Sequence, residues 1–172
     1  HFDGRSDKRA IFIVGAQRSG TNMLVSVLDR SLDIWLFNEF HRAAFQNYRL
    51  RSDATIARLI DRAPAPVVAF KPLCDSHLTD QFLERFAGSK AIWIYRGYQD
   101  TANSAVRNWQ GHRKDWVEWI ARDDYQRLGW RGERLSDELV SLMKKHYRDE
   151  MSREEAAALT WYQRTQLYYQ LQ

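Results

Sequence analysis

The chain has 172 residues, 44% hydrophobic, 28% charged and 13% aromatic, a mixture too apolar for a disordered segment and too polar for a membrane protein. Twenty-six Lys and Arg against 22 Asp and Glu leave a net charge of +4. The basic residues are scattered singly, which favours local anion pockets over a nucleic-acid stripe, and the one cysteine, Cys74, leaves no disulfide within the chain and no cysteine-based metal centre.

With no internal repeat, no low-complexity linker and no apolar run of membrane-spanning length, residues 1–172 are expected to form a single soluble domain, placed in the cytoplasm. The opening His1-Phe2-Asp3-Gly4-Arg5 is unlike a signal peptide and reads as a cut terminus. Ala10-Ile11-Phe12-Ile13-Val14 is a short apolar run stopping at Gly15, the pattern of a strand buried on both faces. Next comes Gly15-Ala16-Gln17-Arg18-Ser19-Gly20-Thr21-Asn22, and Met23, Leu24, Val27 and Leu28 form a helical stripe behind it. Such a loop turns the backbone N–H groups of Ser19, Gly20, Thr21 and Asn22 toward one point, where the helix dipole favours an oxyanion. The spacing of Gly15 and Gly20 is that of the nucleotide P-loop. Thr21 and Asn22, however, stand where that loop has its lysine and its magnesium-binding hydroxyl, which disfavours a magnesium-dependent kinase or NTPase. Arg18 is the cation left to the loop.

An aromatic run, Ile34-Trp35-Leu36-Phe37, leads into Asn38-Glu39-Phe40-His41, and Ile56, Leu59 and Ile60 mark a second helix. Val67-Val68-Ala69-Phe70 reads as the second strand, with Lys71 at its end. Phe82, Leu83 and Phe86 mark a third helix that stops at Gly88-Ser89, and Ala91 to Tyr95 reads as the third strand. Strands alternating with helices imply a parallel sheet whose ligands gather at the carboxyl ends of the strands. Arg96 follows the third strand, and Ser104 stands eight residues on in a helix over Thr101 to Trp109; the two can converge on a second anion.

Everything beyond Thr101 reads as helical. Trp109, Trp116, Trp119, Tyr125 and Trp130 lie there among Arg107, His112, Arg113 and Lys114, a combination that suits core packing and also a sugar or anionic ligand. Ser152 with Glu155 forms a capping box. Cys74 and His77 lack the further ligands a metal site needs, so no metal is expected.

Ile11 to Leu24 (IFIVGAQRSGTNML), Phe70-Lys71-Pro72 and Ile92 to Trp109 (IWIYRGYQDTANSAVRNW) together resemble the sulfotransferases that use 3′-phosphoadenosine 5′-phosphosulfate (PAPS). The first stretch is similar to the Arg-Ser-Gly-Thr loop of the carbohydrate and bacterial members. With the segments between them, the three stretches span somewhat more than half the chain. The resemblance implies an α/β, three-layer P-loop-like fold with a central parallel sheet and a helical carboxyl-terminal half. It also implies transfer of a sulfuryl group to a hydroxyl of a carbohydrate, glycolipid or small molecule, with adenosine 3′,5′-bisphosphate as product and no metal. By the same resemblance Gln17, Arg18, Ser19, Gly20, Thr21 and Asn22 hold the 5′ end of the cofactor, and Arg96 and Ser104 hold its 3′-phosphate. Glu39 is then the general base, His41 its helper, and Lys71 with Arg18 the cations at the transferred group. The chain departs from the family where Gly97-Tyr98 replace the usual Asp-Pro after the arginine and where no late strand follows Trp109. Typical members are also longer, so a carboxyl-terminal portion is expected to be absent or replaced by helices. The rival readings are a P-loop kinase or NTPase and a non-catalytic nucleotide-binding domain.

Overall fold

The computed structural model describes residues 8–109 and 112–171; the opening residues read above as a cut terminus lie outside them. The chain is an α/β protein with a four-stranded parallel sheet flanked by helices. It divides into two compact units, one holding the residues through Gly15 and Gly20–Ile94, the other Ala16–Ser19 and the residues from Tyr95 onward.

The first unit contains the sheet. Its elements in chain order are β1 (Arg9–Gly15), α1 (Thr21–Leu28), β2 (Ile34–Phe37), a short hairpin of β3 (Phe45–Gln46) and β4 (Arg49–Leu50), α2 (Asp53–Arg62), β5 (Val67–Phe70), a 3₁₀ turn (Leu73–Leu78), α3 (Thr79–Arg85) and β6 (Lys90–Ile94). The sheet order is β2-β5-β1-β6, and every pairing is parallel. Because side chains alternate along a strand, β1 serves two cores. Phe12 and Val14 pack with Phe37, Phe70, Ile56 of α2 and Phe82 of α3, whereas Ile13 joins Leu36 and Ala69 under Leu24, Val25 and Leu28 of α1. Three layers result, with α1 on one face and α2 and α3 on the other. Phe12 stacks on Phe70 and on Phe82, at 5.8 and 5.0 Å between ring centroids, and Phe37 stacks on Phe70 at 5.3 Å.

One expectation is corrected. Ile34–Phe37 is a sheet strand and not merely an aromatic run, so Val67–Phe70 is the third strand of the sheet along the chain. The reason is positional: β2 lies at the sheet edge, its Trp35 is 46% exposed, and four residues give little periodicity to read.

The second unit is helical from α4 (Tyr98–Trp109) through α5 (His112–Ala121), the single turn α6 (Tyr125–Leu128), a 3₁₀ turn (Gly129–Gly132) and α7 (Asp137–His146) to α8 (Arg153–Gln170). Trp116, Val117, Ile120, Leu128, Met143, Met151 and Ala156 make its main core, and Ala102, Ala105 and Ala157 let α4 and α8 pack closely. The capping box is present: the Ser152 hydroxyl accepts from the Glu155 N–H, and the Glu155 carboxylate accepts from the Ser152 N–H. No strand follows β6 among the described residues.

Candidate functional site

In the first unit, the loop after β1 is shaped by glycine. Gly15 has φ 130°, and a Cβ there would collide with the carbonyl oxygen of Ile94 on the neighbouring strand. Its N–H donates to Ser76 Oγ at 3.1 Å, so the 3₁₀ turn after β5 anchors the point where the chain leaves the sheet. Gly20 caps α1 with φ 98°, a left-handed conformation that suits glycine. No side chain caps this helix, and its first turn carries no acidic residue. Its positive end therefore has no negative charge of its own.

Beside that helix start lies a buried ion pair. Lys71, 1% exposed, follows β5, and Glu39 follows β2 two residues after the strand ends. The Phe37 to Phe70 register brings the residues after both strands to the same sheet edge. Lys71 Nζ donates to Glu39 Oε1 at 2.8 Å and lies 2.7 Å from Oε2; it also donates to Asn22 Oδ1, in the first turn of α1. The Glu39 side chain is 15% exposed and its Oε2 is buried, so the carboxylate is set mostly inside the protein. The Lys71 N–H donates to the Phe37 carbonyl and fixes the backbone between the two groups.

His41 is not joined to Glu39. Its Nδ1 accepts from the Asn38 N–H at 3.2 Å, its ring stands edge-on to Phe37, and it is exposed, so it closes the turn in which Glu39 sits. Thr21 is buried at the first position of α1.

In the second unit, Arg18 adopts φ 72° and donates from Nε to Ser104 Oγ at 3.0 Å, with its guanidinium 5.8 Å from the centre of the Trp109 ring. A hydroxyl that accepts from arginine keeps its own proton to donate. Ser19 Oγ is buried with no hydrogen-bond partner among the described residues. Gln17 Oε1 accepts from Arg113 Nη2 at 3.5 Å. Arg96 is held differently: it is an exposed residue whose Nε lies 3.5 Å from Asp100, one turn along α4, and its carbonyl accepts from the Trp161 indole at 2.9 Å. Among the described residues no hydrogen bond joins Arg96 to Ser104; Arg18 takes that place.

Sequence reasoning passed over Ser76, whose hydroxyl sits at Gly15, and Asp75, which is 2% exposed and binds Arg49 Nε at 2.5 Å and the Leu50 N–H at 2.7 Å. Neither has a motif. The signal was there only in their position just after a strand end. Arg131 and Arg164 of the helical unit were also missed, and they stack on Trp116 and Trp130.

Among the described residues no three His, Cys, Asp or Glu side chains gather as a metal site, and no helix is long and apolar enough to cross a membrane. Comparison with protein-family models, with curated proteins and with solved structures returns no match for the chain.

Proposed function

We propose that the chain is a PAPS-dependent sulfotransferase acting on a hydroxyl of a carbohydrate, glycolipid or small molecule, on a P-loop-like fold. The observation that carries the reading is the Lys71–Glu39 pair, set at the carboxyl edge of the parallel sheet against Asn22 at an uncapped helix start. A nucleotide P-loop takes its cation from the loop itself; here a neighbouring strand delivers one to the same helix start. The sheet order and the glycine-bracketed turn on β1 support the fold assignment.

The residues suit the cofactor's charges. In the first unit, the helix start at Gly20, Thr21 and Asn22 and the ammonium of Lys71 would hold the 5′ end. Within the second unit, Gln17, Arg18, the orphaned Ser19 hydroxyl, Ser104 and Arg96 are the groups that the resemblance assigns to the cofactor's anions. Arg96 would first have to leave Asp100, an exposed pair that costs little to break.

When bound, PAPS supplies an activated sulfuryl group. Glu39 would take the proton of the acceptor hydroxyl as the sulfuryl group passes to that oxygen and its bond to the 5′-phosphate breaks, and Lys71, hydrogen-bonded to Glu39, would supply positive charge for the 5′-phosphate that is released. His41 acts by holding the backbone of that turn. One observation favours the non-catalytic alternative: a buried ion pair can serve structure alone.

The deciding experiment is calorimetric titration with adenosine 3′,5′-bisphosphate against ATP with magnesium. The bisphosphate is expected to bind more tightly, and tighter ATP binding would overturn the cofactor assignment. Glu39→Gln should keep bisphosphate binding while sulfuryl transfer to a hydroxyl acceptor disappears. Transfer at the parental rate would remove Glu39 as the base.

A further inference from the structure

In the helical unit three guanidinium groups, those of Arg113, Arg131 and Arg164, gather on tryptophan rings. Arg113 is 5% exposed, and its Nε and Nη1 have no hydrogen-bond acceptor among the described residues. Its guanidinium lies 4.7 Å from the centre of the Trp109 ring and 4.3 Å from that of Trp116. Arg131 covers the same Trp116 at 4.2 Å and Trp130 at 4.5 Å, and Arg164 stands 5.2 Å from Trp130. Burial above all, and after it the positive charges of Arg164, Arg131 and Arg18, lower the pKa of Arg113 to about 9.

A cleft of about 330 Å³ opens beside this stack, lined by Gln17, Trp109, Trp116, Trp119, Arg127 and Arg131. Arg113 lies behind the lining residues, its guanidinium on the indoles of Trp109 and Trp116 and bonded to Gln17. The volume suits a small molecule. Indole faces accommodate a ring, and a guanidinium group donates to two oxygens of one oxyanion at once.

We propose that this cleft is a binding site for a small ring-bearing oxyanion, a phosphate or sulfate monoester whose ring lies on the tryptophans and whose oxyanion is held by Arg131, Arg127 and Arg113. The site does not rest on the sulfuryl-transfer reading: its residues all belong to the helical unit, and its probes carry no adenosine.

Calorimetric titration of the whole chain with phenyl phosphate, phenyl sulfate, inorganic phosphate and benzyl alcohol tests it. One or both phenyl esters should bind at least about tenfold more tightly than inorganic phosphate, which lacks the ring, and than benzyl alcohol, which lacks the charge. The tighter ester identifies the head group. Arg131→Met and Arg113→Met should each weaken the ester about tenfold or more, the loss expected for a charge-assisted contact. Should either variant fail to fold, Arg127→Gln carries the test, because that side chain is mostly in solvent and its loss spares the core; it too should weaken the ester. The proposal is overturned if the esters do not bind at millimolar concentration, if benzyl alcohol binds as tightly as they do, or if the folded variants bind like the parent.

Discussion

Lys71 keeps its charge almost entirely out of water, at a desolvation cost of several kcal/mol that Glu39 and Asn22 must offset. Removing one partner leaves the other charge uncompensated, so Lys71→Met should lower the free energy of unfolding by about 3–5 kcal/mol. The double variant Lys71→Met, Glu39→Gln should recover most of the loss, since neither charge then remains. Urea denaturation of the two single variants and the double variant gives the coupling directly; additive losses would show that the pair is not held as described. Each partner could be singled out from sequence, Lys71 by its place after a strand and Glu39 by the resemblance to the sulfotransferases. Their pairing could not. They stand 32 residues apart, and only the parallel register of β2 on β5 brings them to one edge, which is invisible while β2 is read only as an aromatic run. Arg96 and Ser104, whose spacing suggests a shared anion, are each held by a neighbour that the spacing does not show, Arg96 by the Asp100 carboxylate and Ser104 by Arg18.

Among the elements, the turn between β1 and α1 makes different demands on its two glycines. At Gly15 a methyl group meets both an unfavourable φ and the Ile94 carbonyl of a paired strand, which cannot yield without breaking the sheet. At Gly20 it meets open space and only the cost of the left-handed conformation. Gly20→Ala should therefore cost about 1–2 kcal/mol, and Gly15→Ala distinctly more, with a lower urea midpoint; a reversed order would contradict the turn geometry. At the far end, Ser152→Ala removes the hydroxyl half of the α8 capping box and should cost about 0.5–2 kcal/mol, read from the same denaturation curves. These local features were legible because they depend on near neighbours in the chain. Strands β1 and β5 were also legible, since strands buried on both faces read as unbroken apolar runs, and β6, though at the sheet edge and only half-buried, carries a similar run. The inner face of α8 was not, because it buries Thr160, Gln163, Arg164 and Thr165 along with its alanines and so has no apolar stripe to read.

For the molecule as a whole, the buried arginine of the helical unit sets function against stability. A lowered pKa in a base means that the folded state binds its proton less tightly than the unfolded chain does. Between about pH 9, where folded Arg113 is half deprotonated, and the higher range in which an ordinary arginine titrates, the unfolded chain holds more protons. Stability from this group therefore rises with pH in that window, and the full cost of burying the charge is borne below it. Replacing a poorly partnered buried cation by a hydrophobic side chain of similar length is often neutral or stabilising by about 1–4 kcal/mol. Arg113→Met should accordingly unfold at an equal or higher urea concentration than the parent at pH 7, even though it gives up two indole contacts. The parent should then close on the variant by roughly 1 kcal/mol between pH 8 and pH 10. Taking the difference between the two proteins cancels the titration of their shared lysines and tyrosines. A variant that is several kcal/mol less stable than the parent at pH 7, with a gap independent of pH, would mean that Arg113 is a satisfied structural cation. A variant that is more robust but no longer binds a phenyl ester would mean that the protein keeps a costly charge for the sake of a ligand.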